Sequence, residues 1–210
     1  MAHIPDGVLS APVLIGGAVL AAGGIAVGLR ALDEASIPKT AILAAVFFVA
    51  SLVAVPIGPS SIHLLLAGPM GLVLGVAAIP AVFVGLLLQA VLFGFGGLTT
   101  LGVDVVDIAF PGVILAAGVR PWLARVAGRG PAAAAIGGGV AAAAVIGTAA
   151  CVAAALALSS ADHLPSLRVI AVTYLPLAVV EAVIGGFVVP FLMTVKPEVL
   201  GLSPAEGAEP

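Results

Sequence analysis

The sequence predicts an all-α membrane protein, a polytopic bundle of about seven transmembrane helices with the amino terminus outside. Of its 210 residues, 62% are apolar and 8% are charged, whereas a soluble domain carries about 25% charged residues. The mean hydropathy of +1.35 fits a chain whose solvent is the lipid bilayer. The net charge of -3 is spread over few ionisable groups, which excludes a nucleic-acid-binding surface.

Apolar stretches approach the length needed to cross a bilayer, about 20 residues. The predicted spans are 8–29, 41–57, 62–79, 80–97, 105–120, 131–158 and 169–195. The third and fourth predicted spans follow each other without a loop and contain Pro69 and Pro80. We therefore expect one of them to be broken or tilted. Residues 1–198 are predicted to form one membrane domain, followed by a polar cytoplasmic tail over 199–210.

The positions of the cations predict the orientation. With the amino terminus outside, six of the seven Lys and Arg residues are cytoplasmic, as the positive-inside bias requires. These six are Arg30, Lys39, Arg120, Arg125, Arg129 and Lys196. All three histidines, His3, His63 and His163, then lie on the outer face. No Lys or Arg precedes the first apolar run, so we expect no cleaved signal peptide.

The amino terminus, MAHIPDGVLS, contains the groups of a nitrogen chelate. A free α-amine, a backbone amide and an imidazole form fused chelate rings, and Ni²⁺ or Cu²⁺ can displace the amide proton to take a square-planar nitrogen set. If Met1 is retained, Met1, Ala2 and His3 supply four nitrogens. If Met1 is removed, Ala2 and His3 supply three, and His63 is the obvious fourth donor.

The chain resembles the substrate-binding membrane component of energy-coupling-factor transporters for nickel and cobalt. The resemblance rests on MAHIPDGVLS, GPSSIHLLLAGPMG, LLLQAVLFGFGGLTTLGVD and the closing LPLAVVEAVIGGFVVPFL with KPEVLG. It implies that the terminal amine, the first amide and two imidazoles bind the metal, here through Ala2, His3 and His63. The chain departs from the family's Met-His-Ile-Pro-Asp-Gly by the inserted Ala2. Removal of Met1 restores the register, and we expect this processed form.

The resemblance implies a high-affinity capture subunit for Ni²⁺ or Co²⁺ in an ATP-driven importer of the plasma membrane. The ion is the transported substrate, and the chain is not an enzyme. The implied partners are a transmembrane coupling protein, ATPase subunits and a small accessory membrane subunit. The chain has no G-x-x-x-x-G-K-[ST] motif, so it cannot drive transport with ATP by itself.

Small residues repeat every fourth position on the first span, which lets another helix approach closely. They are Ala18, Ala22 and Ala26. From the residues alone, packing within the bundle is as good an interpretation as docking on a partner. The resemblance favours the coupling protein.

Two other classes of function remain to be weighed. A stand-alone metal channel or secondary transporter would place several acids along one path, whereas only Gln89 and Glu181 lie deep in the predicted spans. These two either form interhelical hydrogen bonds or belong to a metal path. An intramembrane enzyme would need a motif such as H-E-x-x-H or G-x-S-x-G, and the chain has neither.

The remaining polar residues carry weaker predictions. Asp6, in a Pro-Asp-Gly turn, could hold a metal ligand in place. His163 is predicted to be an ordinary loop residue, and Cys151 a small packing residue. Asp104 and Asp107 are predicted to be helix-start acids, with a rim that attracts cations as the alternative.

His63 also has an alternative interpretation. It could be an interfacial histidine at a helix start, capped by Ser60 or Ser61. Because an ionisable group entering a span is costly and usually functional, we favour the ligand.

Overall fold

The computed structural model describes residues 4–53, 55–57, 60–126, 129–163 and 166–202. These residues form seven α-helices, which are α1 (Ala11–Arg30), α2 (Ser36–Leu52), α3 (Ala67–Leu74), α4 (Ala78–Phe93), α5 (Leu101–Arg125), α6 (Gly130–Ser159) and α7 (Ser166–Val195). Short 3₁₀ turns cover Gly75–Ala77, Ala161–His163 and Pro197–Leu200. The last turn is packed on the bundle, because Leu200 is buried.

Within the part of the chain that the structure describes, five helical stretches are long and apolar enough to cross a membrane. They are Ala11–Arg30, Ala67–Phe93, Leu101–Arg125, Gly130–Ser159 and Arg168–Val195, and the apolar helix Ser36–Leu52 is shorter. The predicted helical membrane class is confirmed. The count of seven spans and the outer position of the amino terminus stay predictions.

A two-stranded antiparallel hairpin departs from the all-α prediction. Strand β1 (Val55–Ile57) pairs with β2 (Ser60–Ile62). The second predicted span therefore ends early, because α2 stops at Leu52. The third predicted span starts late, because α3 begins at Ala67. Val55, Ile57 and Ile62 are β-branched and therefore favour strand. The predicted spans include them on hydropathy alone.

The third and fourth predicted spans form one helical stretch with a break. The break is at Gly75, whose φ of 58° and ψ of -133° form a conformation that glycine adopts far more readily than other residues. Helix α3 is almost wholly buried and packs on α5 and α6, whereas α4 packs on α1, α2 and α5. The expectation that one of these spans is broken is confirmed, but neither predicted proline is at the break.

Glycines allow the central helices to touch along their backbones. A Cβ on Gly71 of α3 would collide with the carbonyl group of Gly112 in α5, and a Cβ on Gly112 would collide with that of Ala67. Gly137 of α6 and Gly185 of α7 make the same kind of contact. Such close approach stabilises helix pairs in membranes by dispersion and packing, and it gathers α3, α5, α6 and α7 around one core.

Two arginines predicted in an inner loop lie on a helix, because α5 extends to Arg125. The Nη2 atom of Arg120 donates to the carbonyl oxygen of Leu72 at 3.0 Å, in the last turn of α3. A cation at the carboxyl end of a helix can donate to carbonyl groups that have no partner within the helix, and it interacts favourably with the helix dipole. Helix α5 continues through Pro121, although the sequence RPW predicts a helix end.

Candidate metal site

The amino-terminal segment is anchored on α5 at Ile4. The side chain of Ile4 is 4% exposed. Its backbone N–H donates to Oδ1 of Asp104 at 3.1 Å, and its carbonyl oxygen accepts from Oγ1 of Thr100 at 2.6 Å. The Thr100 hydroxyl also lies 3.3 Å from Oδ2 of Asp104. The backbone at Ile4 is therefore held on both sides by two buried side chains.

Asp6 ties the same segment to the loop before α5. Its Oδ1 accepts from the backbone N–H of Thr99 at 3.0 Å and from the Thr99 hydroxyl. The hydrogen bond from that hydroxyl lowers the pKa of Asp6. Gly97 lies directly against the carboxylate, where a Cβ would collide with it. Asp6 is exposed. That it holds a metal ligand in place stays a prediction.

The segment then crosses to α6. The backbone N–H of Ser10 donates to Oγ of Ser159 at 3.1 Å. Ile4 and Leu9 pack in a small apolar cluster with Val152 and Leu156. The amino-terminal residues from Ile4 onward are thus fixed to α5, to the loop before it and to the end of α6.

His63 is buried, with 7% of its surface exposed. It precedes α3 by four residues, so the alternative of a histidine at a helix start, capped by Ser60 or Ser61, is wrong. Its Nδ1 lies 3.1 Å from the carbonyl oxygen of Leu64. Because a carbonyl only accepts, Nδ1 carries the proton, and Nε2 carries the lone pair of the neutral ring. Burial lowers the pKa of His63, which favours the neutral form that metals need.

Glu181 holds the chain directly after His63. It is fully buried in α7, and its Oε1 accepts from the N–H groups of Leu65 and Leu66 at 2.6 and 2.8 Å. Leu66 has a φ of +50°, in the left-handed region that costs a branched side chain energy. The hydrogen bonds that were predicted for Glu181 therefore go to this turn.

Other buried polar side chains lie within the bundle. Atoms Oδ2 of Asp107, Oγ1 of Thr148 and the hydroxyl of Tyr174 have no hydrogen-bond partner among the described residues. Asp104 lies in the first turn of α5, as predicted, whereas Asp107 lies beyond that turn, so its prediction as a helix-start acid is wrong. Asp104 and Asp107 are 2% and 3% exposed. The alternative of an attracting rim is therefore wrong.

The described residues do not form a metal centre by themselves, because they contain no group of three or more His, Cys, Asp or Glu side chains that could hold an ion. Two of the predicted ligands, Ala2 and His3, lie outside the described residues. The structure therefore places one predicted donor, His63, and the anchor that begins at Ile4.

The structure also describes helices that carry other predicted residues. Gln89 donates to the hydroxyl of Ser51, which confirms an interhelical hydrogen bond between α4 and α2. Ala18, Ala22 and Ala26 are exposed on α1. His163 ends a short turn, and its side chain lies outside the described residues.

Sequence reasoning missed the two threonines of GGLTTLGVD. Thr99 and Thr100 precede α5 and bind the amino-terminal segment. Adjacent hydroxyl residues at a helix start usually indicate capping, and here no side-chain cap is made. The sequence alone could not show that their partners lie more than 90 residues away.

Residues 3–199 match the family model described as the cobalt uptake substrate-specific transmembrane region. The chain belongs to this family. Membership confirms the resemblance seen in the sequence and the class of transmembrane metal transport. The relatives below are named for transport, and the prediction that this chain is not an enzyme is confirmed with the family.

Several curated proteins are similar to this family member. A Haemophilus influenzae protein named for metal transport is 52% identical over 112 residues, which cover 53% of this chain and 54% of that protein. The fused nickel transport protein NikMN of Rhodobacter capsulatus is 39% identical over 56% of this chain and 35% of its own length. The chain therefore spans about half or less of these two relatives. A Methanocorpusculum labreanum protein named for cobalt transport, CbiM 1, is 29% identical over 94% of this chain and 91% of its own.

Two crystal structures share the fold of this family member. A truncated transition metal transporter has a TM-score of 0.70 and 24% identity, and covers 93% of this chain and 98% of its own. A second transition metal transporter has a TM-score of 0.68 and 27% identity over 92% and 93% of the two chains.

Proposed function

We propose that this chain is the high-affinity Ni²⁺ or Co²⁺ capture subunit of an ATP-driven energy-coupling-factor importer in the plasma membrane. The observation that carries the proposal is family membership over residues 3–199, joined to the buried His63, whose Nε2 has the lone pair of a metal ligand. The ion is bound at the outer face as substrate. The multi-pass domain covers residues 1–198, and the tail over 199–210 is cytoplasmic.

The ligands in this proposal are the terminal amine and first amide from Ala2 and His3, and the imidazoles of His3 and His63. His3 is bonded to Ile4, so the hydrogen bonds that fix Ile4 limit where the terminal residues can reach. Such a restriction lowers the entropic cost of closing a chelate on a metal. Four nitrogens in a plane favour Ni²⁺ over Zn²⁺, which prefers a tetrahedron.

The distribution of charge supports an outer amino terminus. Arg120 binds the carboxyl end of α3 at the carbonyl oxygen of Leu72. The Nζ atom of Lys39 lies 3.5 Å from the carbonyl oxygen of Val73. Lys196 lines the same groove as Lys39. The anchor at Ile4 lies at the opposite end of α5 from Arg120. This separation follows the positive-inside bias.

Transport in this proposal needs partners, because the chain has no phosphate-binding loop of its own. A transmembrane coupling protein would dock on the exposed face of α1 that includes Ala18, Ala22 and Ala26. ATPase subunits would supply the work, and a small accessory membrane subunit would complete the assembly. The inward face of α1 uses other small residues, Gly17 and Gly28, against α5 and α4.

A metal-binding titration of the purified chain in lipid nanodiscs tests the proposal. Intact-mass measurement defines the terminus, and Ni²⁺, Co²⁺ and Zn²⁺ are titrated against the free and the acetylated amine. We expect one Ni²⁺ per chain and loss of binding after acetylation. Full affinity of the acetylated protein would contradict the ligand set, and Ni²⁺ flux into liposomes that contain this chain alone would favour a stand-alone channel.

A further inference from the structure

We infer that Glu181 is a positioning residue for His63, acting through the peptide group that joins Leu64 to Leu65. The inference rests on the proposed function, in which Nε2 of His63 binds the ion. It assigns to a buried carboxylate of α7 the task of fixing both the tautomer and the direction of the ring.

The two hydrogen bonds that carry the inference meet on one peptide group. The carbonyl oxygen of Leu64 accepts from Nδ1 of His63 at 3.1 Å. The N–H of Leu65 donates to Oε1 of Glu181 at 2.6 Å. These C=O and N–H groups belong to the same rigid plane and point in opposite directions. Glu181 therefore sets the plane whose oxygen holds the His63 ring.

The arrangement also strengthens the contact with the ring. An acceptor on the N–H polarises a peptide group, so that its oxygen becomes a better acceptor. Histidines that bind metals usually donate their other ring nitrogen to a carboxylate or a backbone carbonyl, which fixes the ring and raises its basicity. Here the carbonyl oxygen of Leu64 accepts from Nδ1 of His63. The carboxylate of Glu181 fixes the peptide group to which that carbonyl belongs.

A second hydrogen bond keeps the peptide from turning. Oε1 also accepts from the N–H of Leu66 at 2.8 Å, and this hydrogen bond holds the strained, positive φ of Leu66. Leu65 is fully buried, so water cannot replace the carboxylate at its N–H group. The turn from His63 to Leu66 is thus defined by one side chain of α7.

A merely structural role for Glu181 predicts a different result. In that case the carboxylate would tie the turn to α7 and stabilise the bundle, with no effect on which nitrogen of His63 carries the proton. The tautomer of His63 in the metal-free protein separates the two roles. It can be measured from the ring ¹⁵N chemical shifts of protein in nanodiscs.

The experiment compares three variants with the wild-type chain. Glu181→Gln keeps an oxygen acceptor, and Glu181→Leu removes it. Thr173→Val is the matched control, because Thr173 is buried on the same helix and its hydroxyl donates to the carbonyl oxygen of Val169 in that helix. We expect the Nδ1–H tautomer in the wild type, Glu181→Gln and Thr173→Val, and a mixture in Glu181→Leu. Ni²⁺ affinity should fall about 10–100-fold in Glu181→Leu, with a changed Ni²⁺ absorption band.

An unchanged tautomer in Glu181→Leu would overturn the inference, as would Ni²⁺ affinity equal to that of the control. If Glu181→Leu does not fold, Glu181→Asp serves instead, because it withdraws the acceptor by one methylene and should give the same mixture of tautomers. A wild-type chain that binds no Ni²⁺ would contradict the proposed function. The tautomer, measured without metal, would still decide whether Glu181 controls His63.

Discussion

The backbone N–H of Ile4 donates to Oδ1 of Asp104 across 3.1 Å, although these residues are 100 positions apart in the chain. Because the carbonyl of Ile4 is held as well, by the hydroxyl of Thr100, the segment after His3 cannot move without leaving buried polar groups unpaired. The contact makes the start of α5 part of the proposed metal site.

Removing the hydroxyl of Thr100 should therefore weaken metal binding. In Thr100→Val the carbonyl oxygen of Ile4 loses its buried donor, which costs about 1–3 kcal/mol. We expect a lower unfolding temperature and weaker Ni²⁺ binding by titration. Thr148→Val is the control, because Thr148 is fully buried and its hydroxyl has no partner among the described residues. Equal effects of the two substitutions would contradict a specific role for Thr100.

Removing an imidazole ligand should abolish binding. We expect His63→Ala and His3→Ala each to lose Ni²⁺ binding in an equilibrium titration, since each removes one nitrogen ligand from the proposed square-planar site. His163→Ala is the matched control and should have a mild effect. Retention of full affinity by either of the first two variants would remove that residue from the site.

The stability of the metal-free protein should depend on the ionisation of His63. Burial lowers the pKa of this group below its ordinary value of 6.5, so the unfolded chain binds the proton more readily than the folded chain. The free energy of unfolding should therefore fall as the pH falls below 6.5 towards the folded pKa, and it should not change for this reason above 6.5. Chemical denaturation at several pH values, with His63→Ala as the reference, measures the slope. A slope that the variant retains in full would show that another group causes it.

Acid should weaken metal binding in two stages. The proposed amide ligand must lose its proton at every pH, and an unperturbed terminal amine, which titrates at about 7.7–8.0, adds competition with protons below that range. His63, whose pKa is lowered, adds its own loss only below 6.5. Ni²⁺ affinity measured from pH 9 to pH 5, in about half-unit steps, should show the steeper slope at the acid end. Affinity that is independent of pH would contradict coordination by these nitrogens.

Close contact between α3 and α5 should make Gly112 intolerant of a side chain. In Gly112→Ala the new methyl group would overlap the carbonyl group of Ala67, which forces the helices apart and lowers the unfolding temperature. Gly139→Ala, in the middle of α6, has open space around its Cβ and should gain about 0.5–1 kcal/mol from helix propensity. A thermal shift of the same sign in both variants would contradict the contact.

The sequence by itself determined the solvent of this protein and the class of its elements. Its hydropathy leaves no other environment for the helices, and inside a bilayer a chain must satisfy its backbone within each helix. The residue types at the amino terminus and at His63 also suffice to predict a nitrogen ligand set, because coordination chemistry depends on local groups. The prediction failed at VPI and at Ile62, which hydropathy cannot separate from helix, and at Gly75, whose positive φ is a backbone property.

Only the tertiary structure decided which distant groups support the proposed ligands. Thr100 and Asp104 hold Ile4, and Glu181 holds the turn after His63. These pairs are separated by 96, 100 and 116 positions, and no spacing rule reaches so far. Buried polar groups must find partners wherever the packing of helices brings them. The glycine contacts that set that packing therefore decide which partners they find.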